Sequence, residues 1–323
     1  MNKKLRFIWI DDENREVSFQ NMKAQLGIIG KFINITQANV DYLTDINKIK
    51  PDLILIDHNL TKSNDKIKKG STIASLIREK HPDIAIACVT GQLMNKPIDT
   101  LEQSSYETVF NIDEIEKNYE TMKSIANSYR KLIAGKPNNT TEFIALLNAP
   151  KVDKIKLEYI VPREIKDNFN DKALFKNTSH WIRNILIERP GFLYNRLWAA
   201  TYLGLTERGF EKVEEIFKTA KYNGLFADKT KERWWKSKLL EILSKEVKTT
   251  GLPWQKGRSL KGINAHNFSK DHYTNNNEDL PEVVAYTDET SREQYPMKLK
   301  YTVPHPRFDK LLFFEEIRMM KLD

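Results

Sequence analysis

Residues 52–60 read DLILIDHNL, in which four consecutive apolar residues, Leu53 to Ile56, are closed by Asp57 and a polar turn. A strand with one wet face alternates apolar and polar residues. An unbroken apolar run requires cover on both faces, as in a parallel sheet sandwiched between helices. Working outward, LRFIWI (5–10) and FINIT (32–36) precede this stretch, and DIAIACVT (83–90) and YETVFNI (106–112) follow it. Between these runs, helical spacing predicts helices at 15–27, 41–49, after Gly70, near 97–104 and over 113–134. Five strands thus alternate with five helices over residues 1–135, which predicts an α/β, doubly wound, five-stranded parallel sheet. Ligands of such sheets sit at the carboxyl ends of the strands.

At that edge the chain concentrates acid. Asp11 and Asp12 follow the first strand and Asp57 ends the third. Three carboxylates brought together repel unless a cation lies between them. A hard divalent ion with oxygen ligands, Mg²⁺ foremost, satisfies such a cluster, and the backbone carbonyl of Asn59 is a further candidate ligand. Thr90 ends the fourth strand just before Gly91, and its hydroxyl is a candidate donor to a phosphoryl oxygen on Asp57.

The succession strand-Asp-Asp, LILIDHNL and ACVTG, in that order and spacing, resembles the receiver domain of bacterial response regulators, a flavodoxin-like fold. The resemblance covers about 40% of the chain. It implies that Asp57 is the phosphoacceptor and that Asp11, Asp12 and Asp57 hold Mg²⁺. It also implies that Thr90 and Phe110 are switch residues and that a histidine kinase or phosphotransfer protein is the partner. The chain departs from the family pattern twice. Where the family carries a lysine after the fifth strand, this sequence offers Asn111 or Asp113, depending on register, and neither is cationic. The loop from Thr61 to Lys69 lacks the usual proline, is longer, and is rich in lysine. Lys62, Lys66, Lys68 and Lys69 are its candidates to reach the pocket.

The predicted last helix of this region carries Ile115, Tyr119, Met122, Ile125, Tyr129 and Leu132. One amphipathic stripe would cover the sheet, and a homodimer seam is the alternative use of the rest. GKPNNTTE (135–142) marks a domain end. The expected organisation is therefore a receiver-like domain over 1–135, a linker over 136–175, a mainly helical domain over 176–262, and a small α+β segment of unassigned role over 263–323.

Within the helical domain, LWAATYLGLTERGFEKVEEIFKTAKYNGLF (197–226) places Ala200, a turn Gly204 and Phe210 at the spacing of two closely crossing helices. That spacing resembles a helix-turn-helix, and over about 70 residues a winged helix. Thr206 would cap the second helix, and ADKTKERWWK (227–236) would form a basic wing. Arg208, Lys212, Lys218 and Lys221 are the candidate DNA contacts, with Glu211, Glu214 and Glu215 interspersed among them. The formal net charge is +8, and residues 206–262 carry 14 Lys plus Arg against 8 acids, a surplus that favours an anionic partner. Further on, GINAHNFSKDHYTNNNEDLP (262–281) reads as an exposed loop, EVVAYT and MKLKYTV as strands, and FDKLLFFEEIRMMK as a closing helix.

Other function classes find little support in the residues. A single cysteine, Cys88, excludes an internal disulfide and any multi-cysteine zinc site. His266, His272 and His305 lack metal-ligand spacing. No apolar run approaches 18 residues, and the opening MNKKLRFIWIDD is too short-cored for a signal peptide, so a cytoplasmic protein without membrane partners is expected. No nucleophile with a base and no phosphate-cradling glycine loop is present, so no enzyme beyond receiver phosphoryl chemistry is expected. The sequence therefore predicts a two-component-type regulator, phosphorylated at Asp57 with Mg²⁺ and switching a basic helical DNA-binding output. The alternative is a pseudo-receiver adaptor that works through protein contacts without phosphorylation.

Overall fold

The computed structural model describes residues 4–36, 41–62, 68–91, 100–169, 171 and 174–268, together with two short strands beyond. The chain divides into two compact units. The first comprises residues 1–147, 161–181 and 228–230, and the second comprises 148–160, 182–227 and 231–323.

The first unit is built on five parallel strands: β1 (Arg6–Asp11), β2 (Ile29–Asn34), β3 (Leu53–Asp57), β4 (Ala85–Thr90) and β5 (Val109–Asn111). Their order is β2-β1-β3-β4-β5, the flavodoxin-like arrangement of doubly wound sheets. The helices between them are α1 (Glu16–Leu26), α2 (Tyr42–Ile49), α3 (Gly70–Lys80) and α4 (Thr100–Gln103), with α5 (Tyr119–Gly135) closing the series. The double cover expected from the apolar runs is present. Ile8, Ile10, Ile54, Ile56, Ile86 and Cys88 share one buried cluster with Ile46 of α2 and Ile73, Ala74 and Ile77 of α3. Phe7, Trp9, Leu53, Leu55, Ala85 and Ala87, one residue out of phase, are equally buried on the other face, where α5 lies against β3 and β4.

Three boundaries differ from expectation. β2 begins at Ile29 rather than Phe32, because Gly30 (φ +156°) lets the backbone approach Phe7 so closely that a Cβ would lie 1.8 Å from its carbonyl oxygen. The last helix starts as a 3₁₀ segment, Ile112–Asn118, capped by Asn111, whose side chain accepts from the Asp113 amide at 3.0 Å. The stretch 136–175, expected as a linker, is instead largely helical. It holds α6 (Thr140–Ala145), α7 (Lys151–Ile160) and α8 (Arg163–Lys166), and α9 (Leu174–Trp181) begins within it. Its turn residues end one helix and start the next: the Asn139 side chain accepts from the Glu142 amide at 2.9 Å, a cap rather than a break. Phe143, fully buried, packs on Phe169 and Trp181 at 6.2 and 6.0 Å between ring centroids. Phe175 stacks on Tyr129 of α5 at 5.6 Å, within the same unit.

The second unit includes α7 and, after a π-helical turn at Ile182–Leu186, β6 (Leu193–Tyr194), α10 (Arg196–Tyr202), α11 (Glu207–Val213), β7 (Trp234–Trp235), α12 (Lys236–Glu246) and α13 (Pro253–Arg258). Its core gathers Tyr194, Trp198, Leu203, Phe210, Phe217, Trp234, Leu239 and Leu243, with the rings of Phe210 and Trp234 edge to face at 5.3 Å. The turn at Gly204 (φ +68°) joins α10 to α11, and Thr206 caps α11 by accepting from the Gly209 amide at 3.1 Å.

A winged helix does not emerge here. α11 ends at Val213 and continues as a 3₁₀ segment, Glu214–Ala220, and the expected wing contributes instead the buried pair Trp234–Trp235, which bonds to β6. Two indoles at 0% and 2% exposure are worth more as core than as a solvated ribbon. The expected exposed loop also begins folded, since the 3₁₀ turn Ala265–Asn267 buries Asn267 and Phe268 bridges to Leu205. Beyond it, β8 (Val284–Ala285) pairs with β9 (Tyr295–Pro296). β8 falls within the predicted EVVAYT strand. The predicted MKLKYTV strand and FDKLLFFEEIRMMK helix, with His272 and His305, lie outside the described residues.

Candidate metal and phosphoryl site

The parallel register of β1 with β3 brings the carboxyl end of one beside that of the other, at the point where the strand order reverses. Asp11 ends β1, Asp12 follows it, and Asp57 ends β3. One carboxylate oxygen from each lies within 4.8 Å of the others. Asp11 and Asp12 are 2% and 5% exposed.

Loop amides hold this cluster in shape. Asp11 Oδ1 accepts from the Glu13 amide at 2.8 Å, and Asp12 Oδ2 accepts from the Lys62 amide at 2.6 Å. The amides of His58 and Asn59 hydrogen-bond to Asp57. The loop after β3 is folded back on itself, with Leu60 N donating to Lys68 O at 3.0 Å, Gly70 N to His58 O at 2.8 Å, and Asn59 bridging Lys69. Gly70 is tightly enclosed, because a Cβ there would lie 2.1 Å from the Asp57 carbonyl oxygen.

The electrostatics are those of a site short of positive charge. Burial, and then the charges of Asp11 and Asp12, push the Asp57 carboxyl up from 3.8 to about 7. Burial likewise raises Asp11 to about 6, against the Glu13 amide and the Arg15 guanidinium, which pull it down. Three carboxylate oxygen donors at this spacing fit Mg²⁺.

Thr90, 1% exposed, ends β4 opposite Asn111, which ends β5. The strand-end residue is Asn111, and Asp113 lies two residues on in the 3₁₀ segment; neither is cationic. Phe110, 4% exposed, pairs with Val89. The described loop lysines find partners at the rim. Lys62 Nζ donates to Glu13 Oε1 at 2.8 Å, Lys68 Nζ to the Thr61 carbonyl at 3.3 Å, and Lys69 pairs with Glu102. Lys66 lies outside the described residues.

Sequence reasoning passed over Arg15. Its Nε stands 3.9 Å from Asp11 Oδ2, and its Nη2 donates to Glu13 Oε2 at 2.6 Å. The sequence signal was an arginine four residues after a site aspartate, a common spacing in a charged stretch. His58, whose Nε2 lies 3.2 Å from Glu102 Oε2, was passed over too.

Three of the candidate DNA contacts have local partners. Lys221 is bound to Glu214 and Glu232 at 2.6 and 2.7 Å, Lys218 pairs with Glu215, and Lys212 Nζ donates to Asn267 Oδ1 at 3.3 Å. Arg208 is exposed. The first turn of α11 is covered from the side, where Thr206 N donates to Asn267 O at 2.9 Å and a Cβ on Gly209 would lie 2.6 Å from that oxygen.

No protein-family model and no curated protein matches the chain. Among solved structures, its N-terminal 40% or so is similar to receiver domains. One is the signal receiver domain of an HD domain-containing protein from Pseudomonas fluorescens Pf-5, at 13% identity over 39% of this chain and 99% of that one, with a TM-score of 0.31. Another is a CheY-like response regulator receiver domain protein from Methanospirillum hungatei JF-1, at 15% identity over 39% and 98%, with a TM-score of 0.30. A third is the response regulator TrrA from Thermotoga maritima in complex with Mg²⁺ and BeF, at 18% identity over 36% and 98%, with a TM-score of 0.30.

Proposed function

We propose that the first unit is a Mg²⁺-dependent phosphoryl-accepting switch of the response-regulator type, with Asp57 as phosphoacceptor and the second unit as the output it regulates. The observation that carries this reading is the acid cluster itself. Three carboxylates converge within 4.8 Å at adjoining strand ends, with burial raising Asp11 to about 6 and Asp57 to about 7. Asp11, Asp12 and Asp57 would hold the ion with the Asn59 carbonyl. When bound, Mg²⁺ neutralises charge on both the carboxylates and the incoming phosphoryl oxygens.

An Asp57 oxygen attacks the phosphorus of a phosphohistidine on a histidine kinase or phosphotransfer protein. A P–O bond forms as the P–N bond breaks, and the imidazole nitrogen leaves with the electron pair. The Thr90 hydroxyl then donates to a phosphoryl oxygen, and a shift at β4 and β5, which carries Phe110, passes the change outward. The test is Mg²⁺-dependent labelling by a small acyl phosphate. The wild type should label, and Asp57→Asn should not. Label that persists in Asp57→Asn overturns the assignment.

A second reading is favoured by one observation: β5 ends in Asn111, not in a cation. In that reading the unit is a pseudo-receiver adaptor that acts through protein contacts without phosphorylation. The output in the first reading is DNA binding, supported by the surplus of 14 basic over 8 acidic residues in 206–262 and by exposed Arg208.

A further inference from the structure

We infer that Arg15, on the loop between β1 and α1, supplies the cation that meets the phosphoryl group on Asp57, in place of a charge at the end of β5. The inference rests on Asp57 being the phosphoacceptor. Phosphorylation replaces one carboxylate charge by an acyl phosphate of about two. With Asp11 and Asp12 beside it, that group outweighs a single divalent ion, so the site needs a further cation within hydrogen-bonding reach.

The end of β5 cannot provide it: Asn111 is neutral and its side-chain oxygen is committed to the Asp113 amide. Lys117 is exposed and paired with Glu114, and Lys62 and Lys69 are held by Glu13 and Glu102. Arg15 is placed differently. One edge of its guanidinium is anchored, Nη2 to Glu13 Oε2 at 2.6 Å. Its Nε lies 3.9 Å from Asp11 Oδ2, inaccessible to solvent and without a hydrogen-bond partner.

A buried, unused N–H beside the acid cluster is a donor held in reserve, because leaving such a group unpaired is costly. The guanidinium also suits the task. It stays charged at any working pH, and its fork matches the tetrahedral oxygens of a phosphoryl group. Glu13 acts as a positioning residue, since it fixes Arg15 on one oxygen and Lys62 on the other.

The role makes two predictions of opposite sign, which a merely structural arginine would not. Removing a cation from beside Asp11 strengthens Mg²⁺ binding, and removing the phosphoryl partner weakens binding of the phosphoryl mimic. Beryllofluoride occupancy of the full chain, followed by fluorine NMR at saturating Mg²⁺, should fall about tenfold in affinity in Arg15→Gln. In the absence of the mimic, Mg²⁺ should bind Arg15→Gln about two- to threefold more tightly. Arg15→Lys should keep part of the mimic affinity, and adding Asn111→Lys to Arg15→Gln should restore it. Wild-type mimic affinity in Arg15→Gln, or parallel weakening of both ligands, overturns the inference while leaving Asp57 as the acceptor. No occupancy in the wild type overturns the phosphoacceptor reading and this one with it.

Discussion

Single residues set the character of the acid cluster, and its charge state is a stability statement. In the folded chain Asp11 and Asp57 release their protons only near pH 6 and 7, whereas an exposed aspartate does so at 3.8. The folded state therefore holds protons that the unfolded chain has already lost. This contribution is fully present below about pH 4 and is lost as the pH rises through 6 and then 7. In EDTA, the denaturation midpoint of the first unit should fall between pH 5 and pH 8, and saturating Mg²⁺ should flatten the profile. Asp57→Asn should recover about 1–3 kcal/mol at pH 8 without metal and nothing at pH 4. A midpoint independent of pH in EDTA would show that the carboxylates are already compensated.

At the scale of elements, the site depends on how β3 hands over to α3. The loop between them closes on itself and returns at Gly70, which begins α3 against the backbone of Asp57. A methyl group there meets the Asp57 carbonyl oxygen at 2.1 Å, and the obstacle is main chain, which cannot swing aside like a side chain. Gly70→Ala should cost about 1–3 kcal/mol by chemical denaturation and weaken Mg²⁺ binding in the same variant, since the displaced atoms belong to a proposed ligand. Unchanged stability together with unchanged Mg²⁺ affinity would mean that the loop has slack that the packing does not show. In the second unit the turn at Gly204 was legible from its spacing to Ala200 and Phe210. The length of α11 was not, because its break at Val213 follows no proline or glycine but a repacking of Phe217 into the core.

At the scale of the whole molecule, the net charge of +8 and the basic surplus after Thr206 set how any nucleic acid would be met. Some of the basic side chains are paired internally, Arg196 and Lys221 being tied to Glu211, Glu214 and Glu232. Affinity for a mixed-sequence duplex should therefore fall between 50 and 200 mM salt, but with a shallower slope than so basic a chain would give with its cations free. Arg208→Ala should lower the slope of log affinity against log salt by about one. Binding that ignores both salt and Arg208 would point instead to protein docking as the output.

The sequence by itself determined the sheet. LILI, IAIACV and FIWI are unbroken apolar runs that only a doubly covered parallel strand can bury, and Asp57, Thr90 and Asp11, which follow them, are carried to one edge by topology alone. What the tertiary structure decided is everything that depends on register or on distant chain. It ended β5 at Asn111, paired with Thr90. It made an expected linker largely helical and packed its Phe143 on Phe169 and Trp181. It covered the start of α11 with Asn267, and it set Arg15 beside Asp11. Local periodicity reports which faces must be buried. It does not report what buries them, because that contact is made between residues far apart in the chain.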